Sequence, residues 1–360
     1  MTPAQSLGAV IDEFSEPFTG PIRMAELHDG RVLAMDARES RLVVLDFVSG
    51  TQHPAATRGD GPLEYRTGFR FAAAPADSVW MFDLMRGRIV VFSPSGSPVR
   101  GFDITNADAR ARLSVPWLLR TMPDGAWYGT SHGHSFEAPR SAFADSIAVV
   151  RVSAYGDASD TVAMLLAEGT RRTTAGGARR LTAFDPHDLT AVFSDGRVLV
   201  VRGERYTAGI VMPDGTARTP APIAHQRVAL TAADITTVRD SVHRLTAGLI
   251  AMSMTNLPLA PGSAPRVAEL MPPDPAPAIW PVLMGESIPV DTRDRAWVAV
   301  RDSSLGTLGQ RYDLIDREGM LVGAVRVPPS YELVGFGAAH LFIARRDGDD
   351  LLWLQRYALP

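Results

Sequence analysis

The chain contains no cysteine and no lysine, and these two absences exclude several classes of chemistry. Without cysteine there is no thiol catalysis, no thiolate zinc site and no disulfide framework. All 36 basic residues are arginine. A Schiff-base lysine, a Walker-A lysine and a kinase-type lysine are therefore excluded as well.

The sequence also lacks long apolar runs and a strong net charge. No apolar stretch approaches the roughly 20 residues that a membrane-spanning helix needs. The 40 acidic and 36 basic side chains leave a formal net charge of −4, so no overall field draws the chain onto nucleic acid. Residues 1–12 show neither a basic nor an apolar signal region, so the chain as written carries no export signal.

Short apolar runs separated by turn residues recur throughout the sequence. One clear copy runs from Leu189 to Phe193, turns at Ser194-Asp195-Gly196, continues from Arg197 to Arg202, and later turns at Pro213-Asp214-Gly215. Runs of about six residues rich in Val, Ile, Leu, Phe and Trp, bounded by Asp-Gly or Ser-Gly, are typical of β-strands. Their regular return predicts an all-β repeat protein.

Six such units account for nearly the whole chain, and the last is one strand short. An unmatched strand, Leu7 to Asp12, precedes the first unit and can complete the last. We therefore predict a six-bladed β-propeller, a single domain over 1–360, closed by an N-terminal strand that leaves no open sheet edge. The predicted blades are 22–56, 69–104, 115–167, 189–223, 286–327 and 331–357 with 7–12. The alternative, two tandem β-sandwiches, needs a central linker, and none is visible.

Several motifs resemble those of bacterial six-bladed propellers related to NHL repeats. Arg58 to Tyr65 is similar to the G-x-G-P-x-E-F/Y linker of that group, and the strands Ser78 to Asp83 and Arg88 to Ser93 are similar to the blade that follows it. Arg295 to Val298 and Gly319 to Pro328 resemble a later blade. The resemblance implies the propeller fold, a habit of binding, and frequent export to the periplasm, but no particular reaction.

Three insertions interrupt the repeat, at 132–145, 168–188 and 224–285. In the resembling fold these connections lie on one face, here called the top face, which is where we expect binding. In the longest insertion, Thr231 and Asp234 resemble a capping box. The stripe that follows predicts a helix of about five turns that either packs on the blade tops or acts as a lid or partner-binding helix; it consists of Ile235, Val238, Val242, Leu245 and Leu249. Residues 257–277 are rich in proline and alanine and predict an extended segment.

The candidate binding residues are arginines and histidines of the top-face loops: Arg171, Arg172, Arg179, Arg180, His132, His134 and His187. Guanidinium groups bind carboxylate or phosphate in bidentate fashion, so the four arginines can form an anionic contact surface. The alternative is a solvated glycine-rich loop. A metal site drawn from the histidines with Asp185 and Asp188 lacks tight ligand spacing, so we predict no metal and no cofactor.

No catalytic constellation stands out. Residues 129–133 spell G-x-S-x-G but are not in the strand-to-helix context of a nucleophile elbow. Six-bladed lactonases typically hold a divalent ion with Asn, Asp and Glu from inner strands, whereas Asn106 and Asn256 fall in connections between blades. The polar residues that we noted on the inner strands are Glu26, Arg120, Glu286, Asp291 and Glu332. The sequence therefore favours a protein that is not an enzyme.

These observations favour a non-catalytic protein-binding propeller, an extrinsic or scaffolding subunit of a larger and membrane-associated assembly, that uses the top face. The alternative is a small-molecule or sugar-binding propeller, or a metal-dependent hydrolase, acting in the central channel.

Overall fold

The computed structural model describes residues 2–83, 86–103, 117–131, 146–154, 158–166, 172–173, 179–180, 184, 186–218, 222–238, 240 and 278–360. These residues form six four-stranded sheets and one short hairpin. The chain is therefore nearly all-β, and the predicted six-bladed β-propeller is confirmed.

Each blade is one sheet, numbered here in chain order. Two short strands precede the first blade: β1 (Gln5–Ser6) and β2 (Val10–Glu13). Blades one and two are β3 (Ile22–Glu26), β4 (Val32–Asp36), β5 (Arg41–Asp46), β6 (Thr51–Pro54), β7 (Gly68–Ala74), β8 (Ser78–Asp83), β9 (Arg88–Phe92) and β10 (Pro98–Asp103). Blade three is β11 (Trp117–Thr121), β12 (Trp127–Ser131), β13 (Ser146–Val152) and β14 (Ser159–Leu166), followed by the hairpin β15 (Arg172–Thr173) and β16 (Arg179–Arg180).

The second half of the ring continues the pattern. Blade four is β17 (Leu189–Val192), β18 (Val198–Arg202), β19 (Thr207–Val211) and β20 (Ala217–Arg218). Blades five and six contain β21 (Ala296–Val300), β22 (Gln310–Ile315), β23 (Leu321–Val327), β24 (Tyr331–Phe336), β25 (His340–Arg346) and β26 (Leu352–Ala358). Two helices are described, α1 at 232–238 and α2 at Leu305–Leu308. Neither has the length and apolarity needed to cross a bilayer.

The core lies between the blades, because the middle strands of each sheet are buried on both sides. All five residues of β4 and of β9 are buried, which explains why these strands read as continuous apolar runs. Leu33 and Met35 of the first blade pack with Val79 and Met81 of the second. Apolar faces of this kind hold each blade against the next.

The turns between strands use the Asp-Gly chemistry that the sequence indicated. In the first blade the Asp29 carboxylate accepts a hydrogen bond from the Arg31 N–H at 3.1 Å, and Gly30 has a φ of +83°. In the fourth, Asp214 accepts the Thr216 N–H at 2.9 Å and Gly215 again has a φ of +83°. The left-handed conformation explains why glycine recurs at this position of the repeat.

The N-terminal segment closes the ring and confirms the predicted terminal strand. β2 pairs with β26 in antiparallel fashion, with Glu13 opposite Gln355. The buried rings of Phe14 and Phe18 follow, and the N–H of each donates to the last strand of the blade, to Leu354 O and Leu352 O, both at 2.8 Å. β1, which we did not predict, adds to β23 in parallel orientation and completes the fifth sheet.

The fifth blade differs from the prediction at its inner edge. The sequence predicted that blade five begins with a strand from Glu286 to Asp291. Instead, residues 283–290 make only isolated bridges to β21, Leu283 to Val300 and Val290 to Ala296. More residues separate the bridges on the inner segment than on β21, and Pro289 has no N–H to donate. The chain therefore bulges between the bridges, and Gly285 and Glu286 are exposed there.

Helix α1 begins where the capping box was predicted. The Thr231 hydroxyl accepts the Asp234 N–H at 3.2 Å, and the Asp234 carboxylate accepts the Thr231 N–H at 2.8 Å. Ile235 and Val238 are half-buried, as the apolar stripe predicted. Val242, Leu245 and Leu249 lie outside the described residues.

Candidate functional site

Two of the inter-blade insertions meet on one face of the propeller. The Phe184 ring, from 168–188, lies 5.1 Å from the Trp280 ring, from 224–285. His187 Nε2 and Gly285 O, from the same two segments, are 3.4 Å apart. These contacts place both insertions on the top face; the insertion at 132–145 lies outside the described residues.

Trp280 is the centre of a compact group on this face, the Trp280 cluster, made of Phe184, Asp234, Trp280 and Arg301. The Arg301 guanidinium carbon lies 4.0 Å from the centroid of the Trp280 ring, a cation–π contact. The indole Nε1–H donates to Asp234 Oδ2 at 3.4 Å. Hydrogen bonds from Thr231 lower the pKa of Asp234, and burial lowers the pKa of Arg301. Helix α1, the returning chain and blade five are thus joined through one side chain.

The two ends of the longest insertion are held together at its base. The Leu230 N–H donates to Ala278 O at 3.0 Å, and the Trp280 N–H donates to Val228 O at 2.9 Å. Ala229 and Ile279 form the bridge between these bonds, and the Ile279 side chain is 43% exposed. The two ends of the insertion are therefore paired by backbone hydrogen bonds next to the Trp280 cluster, and this paired base is called its neck.

The structure brings together some of the predicted binding residues. β15 and β16 pair so that Arg172 lies opposite Arg180 and Arg179 opposite Thr173. His187 is buried, 7% exposed, and contacts Gly285 rather than facing solvent. Arg171, His132 and His134 lie outside the described residues. That these arginines form a surface for anionic groups stays a prediction.

A shallow groove of about 290 Å³ lies between blades three and four and is lined by Leu166, Asp188, Arg202, Glu204, Arg205 and Thr207. Asp188 organises it: its carboxylate accepts the Arg202 guanidinium at 2.7 Å and the Leu166 N–H at 2.8 Å. The groove is therefore lined by both acidic and basic side chains, and the hydrogen bond from Leu166 to Asp188 joins blades three and four there.

Three of the inner-strand carboxylates noted in the sequence are engaged in structural contacts. Glu26 accepts from the Ala338 N–H and lies 3.2 Å from His340 Nδ1, joining blades one and six. Asp291 is buried and accepts the Arg295 guanidinium at 2.8 Å and the Trp297 indole N–H at 2.9 Å. Glu332 pairs with Arg346 at 2.8 Å. Each of the three carboxylates therefore has a protein partner, and no ligand is needed to account for its position.

Glu286 is different, because its field reaches two arginines of other blades. Burial lowers the pKa of Arg23 on β3 and of Arg70 on β7, and the charge of Glu286 partly opposes that lowering. We had overlooked Arg23 and Arg70 on the inner strands. A signal for them exists in the sequence, since each precedes the aspartate that ends the next strand, Asp36 or Asp83, by the same interval.

Among the residues that the structure describes, no three His, Asp or Glu side chains come together as a metal-binding group. Arg120, the remaining polar residue noted on the inner strands, donates to Val192 O at 3.2 Å and is under the field of Asp294 and Asp195. It therefore belongs to the end of the channel opposite the top face, where Asp294 and Asp195 occupy the turns.

Comparison with known proteins supports the fold alone. No family model and no curated protein matches the chain. A member of the DUF4221 family from Bacteroides vulgatus is 9% identical, covers 99% of this chain and 97% of its own, and gives a TM-score of 0.54. A gluconolactonase from Xanthomonas campestris is 13% identical over 98% of this chain and 99% of its own, with a TM-score of 0.49. A virginiamycin B lyase from Staphylococcus aureus is 11% identical over 98% and 99%, with a TM-score of 0.47.

Proposed function

We propose that this chain is a non-catalytic protein-binding propeller that uses its top face, an extrinsic or scaffolding subunit of a larger assembly. The observation that carries the proposal is the Trp280 cluster, in which two inter-blade insertions and blade five are joined into one base. Long connections on a fixed scaffold are where binding proteins usually place recognition residues.

The composition of this face suits a protein partner. Tryptophan and arginine are enriched where interfaces gain most of their binding energy, and Trp280 and Arg301 are stacked here at 4.0 Å. Ile279 adds a partly exposed aliphatic side chain, 43% exposed, at the neck of the longest insertion. Fixing these groups before binding reduces the entropy lost when a partner docks.

The arginine hairpin indicates the charge of the partner. Arg172 lies opposite Arg180 in the register of β15 and β16, and like charges at directly opposite positions destabilise a strand pair. Carboxylates of a partner would relieve that repulsion through bidentate hydrogen bonds. We therefore expect the partner to present an acidic surface to this hairpin.

The test is quantitative affinity purification from the organism that encodes the chain, comparing three tagged forms. They are the wild type, the double variant Arg172→Ser/Arg180→Ser, and a control double variant, Arg100→Ser/Arg218→Ser. Arg100 and Arg218 are exposed residues of the outer strands β10 and β20, so both double variants change the net charge equally.

Top-face binding is supported if the recovery of a partner falls about tenfold or more with the hairpin variant and is unchanged with the control. Loss of two salt bridges between the hairpin arginines and partner carboxylates gives a change in affinity of that order. Equal recovery with all three forms contradicts it. Purified partner and propeller should then show an affinity that weakens with salt, and the hairpin variant should flatten that dependence.

A further inference from the structure

Arg301, which directly follows β21, carries a charge that no acid of the described chain neutralises by contact. Its backbone is fixed, because the Arg301 N–H donates to Val282 O at 2.8 Å. Its guanidinium carbon lies 4.0 Å from the centroid of the Trp280 ring. In the part of the chain that the structure describes, this guanidinium forms no ion pair and no hydrogen bond. The ring contact therefore places the charge, and no salt bridge does.

The two acids closest to Arg301 have other partners. The Asp234 carboxylate accepts the N–H and the hydroxyl of Thr231, at 2.8 and 2.7 Å. Asp302, the next residue along the chain, is buried and pairs with Arg326. Asp234 affects Arg301 only through its field. Neither carboxylate is placed to take the N–H groups of the Arg301 guanidinium.

The Arg301 guanidinium has lost water without gaining an acceptor. Its Nε is buried and has no hydrogen-bond partner. Burial lowers the pKa of Arg301, and the charge of Asp234 partly opposes that lowering. An incoming carboxylate would compensate this charge through charge-assisted hydrogen bonds. Because Nε is enclosed, such a carboxylate would engage the two terminal nitrogens, Nη1 and Nη2.

We propose that Arg301 is the receptor for an aspartate or glutamate side chain of the protein partner. This inference rests on the proposed function and names the group that the Trp280 cluster recognises. A guanidinium over an aromatic ring makes its cation–π contact through its face and can still donate from its edge. Trp280 thus orients the guanidinium before binding, which lowers the entropy lost on docking.

The surroundings of Arg301 indicate what flanks the bound carboxylate. The Trp280 ring is half-buried and presents apolar surface next to the guanidinium. Apolar residues on either side of the acidic one would pack there. The contact is a different one from the predicted contact at the arginine hairpin, since it uses a single arginine of blade five. The two can be removed separately.

The test is an NMR titration observed at the indole N–H groups. The six tryptophans give six signals, and that of Trp280 is the one missing from Trp280→Phe. The probes are the peptide acetyl-Leu-Glu-Leu-amide and its counterpart with glutamine in place of glutamate. We expect the glutamate peptide to shift the Trp280 signal with an affinity about fivefold or more above that of the glutamine peptide. Equal affinities, or no saturable shift up to about 10 mM glutamate peptide, overturn the proposal.

Variants of Arg301 locate the contact. Arg301→Gln should abolish the preference for the glutamate peptide, and Arg301→Lys, which keeps the charge but loses the paired donors, should weaken its binding about threefold or more. The matched control is Arg100→Gln, because Arg100 lies 5.4 Å from the Phe102 ring on the exposed strand β10 and should not affect the titration. An unchanged preference in Arg301→Gln overturns the proposal. If that variant does not fold, unchanged affinity in Arg301→Lys does so.

The affinity purification described above separates this inference from the proposed function when Arg301→Gln is added to it. A partner whose recovery falls with Arg301→Gln supports both. A partner recovered equally from the wild type and Arg301→Gln overturns the role of Arg301, while top-face binding is still judged by the hairpin variant. If the wild type recovers no partner, the proposed function is contradicted, and the peptide titration alone decides whether Arg301 binds a carboxylate.

Discussion

At the scale of single residues, one buried group joins blade four to blade five. The Tyr206 hydroxyl donates to Asp313 Oδ2 at 2.7 Å, and Arg311 Nε donates to Asp313 Oδ1 at 2.7 Å. All three side chains are buried, so the carboxylate is compensated from both sides. Burial, and then Asp313, raise the pKa of Tyr206 well above its usual value, so its hydroxyl remains a donor at neutral pH. Arg311 also donates to Thr2 O at 2.9 Å, which ties the N-terminal segment to the same group.

Removing members of this group should destabilise the fold by unequal amounts. Asp313→Ala leaves the Arg311 charge buried and unpaired, and we expect a loss of about 3–5 kcal/mol in the free energy of unfolding. Tyr206→Phe removes one bond to a charged acceptor and should cost about 1.5–3 kcal/mol.

Urea denaturation measures both losses. The matched control is Tyr357→Phe, since the Tyr357 hydroxyl donates to the neutral amide of Gln355 at 2.7 Å; we expect about 1 kcal/mol there. A cost of Tyr206→Phe no larger than that of Tyr357→Phe would show that the charge of Asp313 contributes nothing.

The residues of the candidate sites were predictable only in part. Arginines clustered in one loop are visible in sequence, but the sequence did not predict that Arg172 pairs with Arg180. Trp280 and Arg301 gave no signal, because their contact joins an insertion to a blade strand end. Arg23 and Arg70 carry a signal only when the two repeats are aligned on Asp36 and Asp83.

At the scale of elements, the N-terminal segment completes two sheets rather than one. β1 adds to β23 and β2 adds to β26. Around β2, Arg356 donates to Asp12 at 2.7 Å and Arg345 pairs with Glu13 at 3.1 Å. The segment therefore covers two neighbouring sheet edges that would otherwise be open to association.

Stepwise truncation separates the two strands. Deleting residues 2–9 removes β1 alone, and deleting residues 2–13 removes β2 as well. We expect the longer deletion to lower the free energy of unfolding by roughly 2–4 kcal/mol more than the shorter one, because backbone bonds and ion pairs around β2 are lost. Thermal unfolding gives the stabilities, and light scattering after size exclusion gives the association state.

The longer deletion should also associate at concentrations where the shorter one remains monomeric, since the edge of β26 becomes available for pairing. If the two truncated chains are equally stable and equally monomeric, β2 does not close the ring energetically, whatever its pairing.

Strands that form short apolar runs bounded by Asp-Gly or Ser-Gly turns were predictable, and the exceptions have physical causes. β1 consists of Gln5–Ser6 alone, too short to produce a pattern. The inner edge of blade five contains Pro281 and Pro289 around the left-handed Gly285, so its apolar residues suggested a strand that the backbone cannot form continuously. For β1 the closed ring imposes pairing that local sequence does not encode, whereas in blade five local proline and glycine interrupt pairing that the apolar residues suggested.

At the scale of the whole molecule, polar contacts join neighbouring blades at the face opposite the insertions. The Ser194 N–H donates to Asp294 at 2.9 Å and Arg197 pairs with Glu318 at 2.9 Å between blades four and five. Arg31 donates to Ser95 O at 3.1 Å between blades one and two. Contacts between turns therefore join neighbouring blades on this face of the ring.

The absence of lysine and cysteine gives the molecule a distinctive response to alkaline pH. With no lysine and no cysteine in the sequence, tyrosine is the side-chain type whose ordinary pKa lies between about 8 and 12. Burial, and then the field of Arg23, lower the pKa of Arg70 to about 10, into the same range. Burial, and then the field of Glu332, raise the pKa of Tyr312 to about 12. Burial also raises the pKa of Tyr65, Tyr128 and Tyr357.

We therefore expect stability to fall above pH 10. Below about pH 9 the phenols are almost entirely neutral in the folded and the unfolded chain, so their contribution to stability is complete. Above pH 10 the unfolded chain releases phenolic protons that the folded chain retains, and each unit of pH lowers the free energy of unfolding by about 1.4 kcal/mol per such tyrosine.

Urea denaturation from pH 8 to 11.5 in the wild type and in Tyr312→Phe measures the effect. Arg70, which acts in the opposite direction, is common to both proteins. The difference between their free energies of unfolding should be constant to about pH 9.5 and then change by about 2 kcal/mol by pH 11.5. Parallel curves over the whole range would show that Tyr312 ionises as easily in the folded ring as in the unfolded chain.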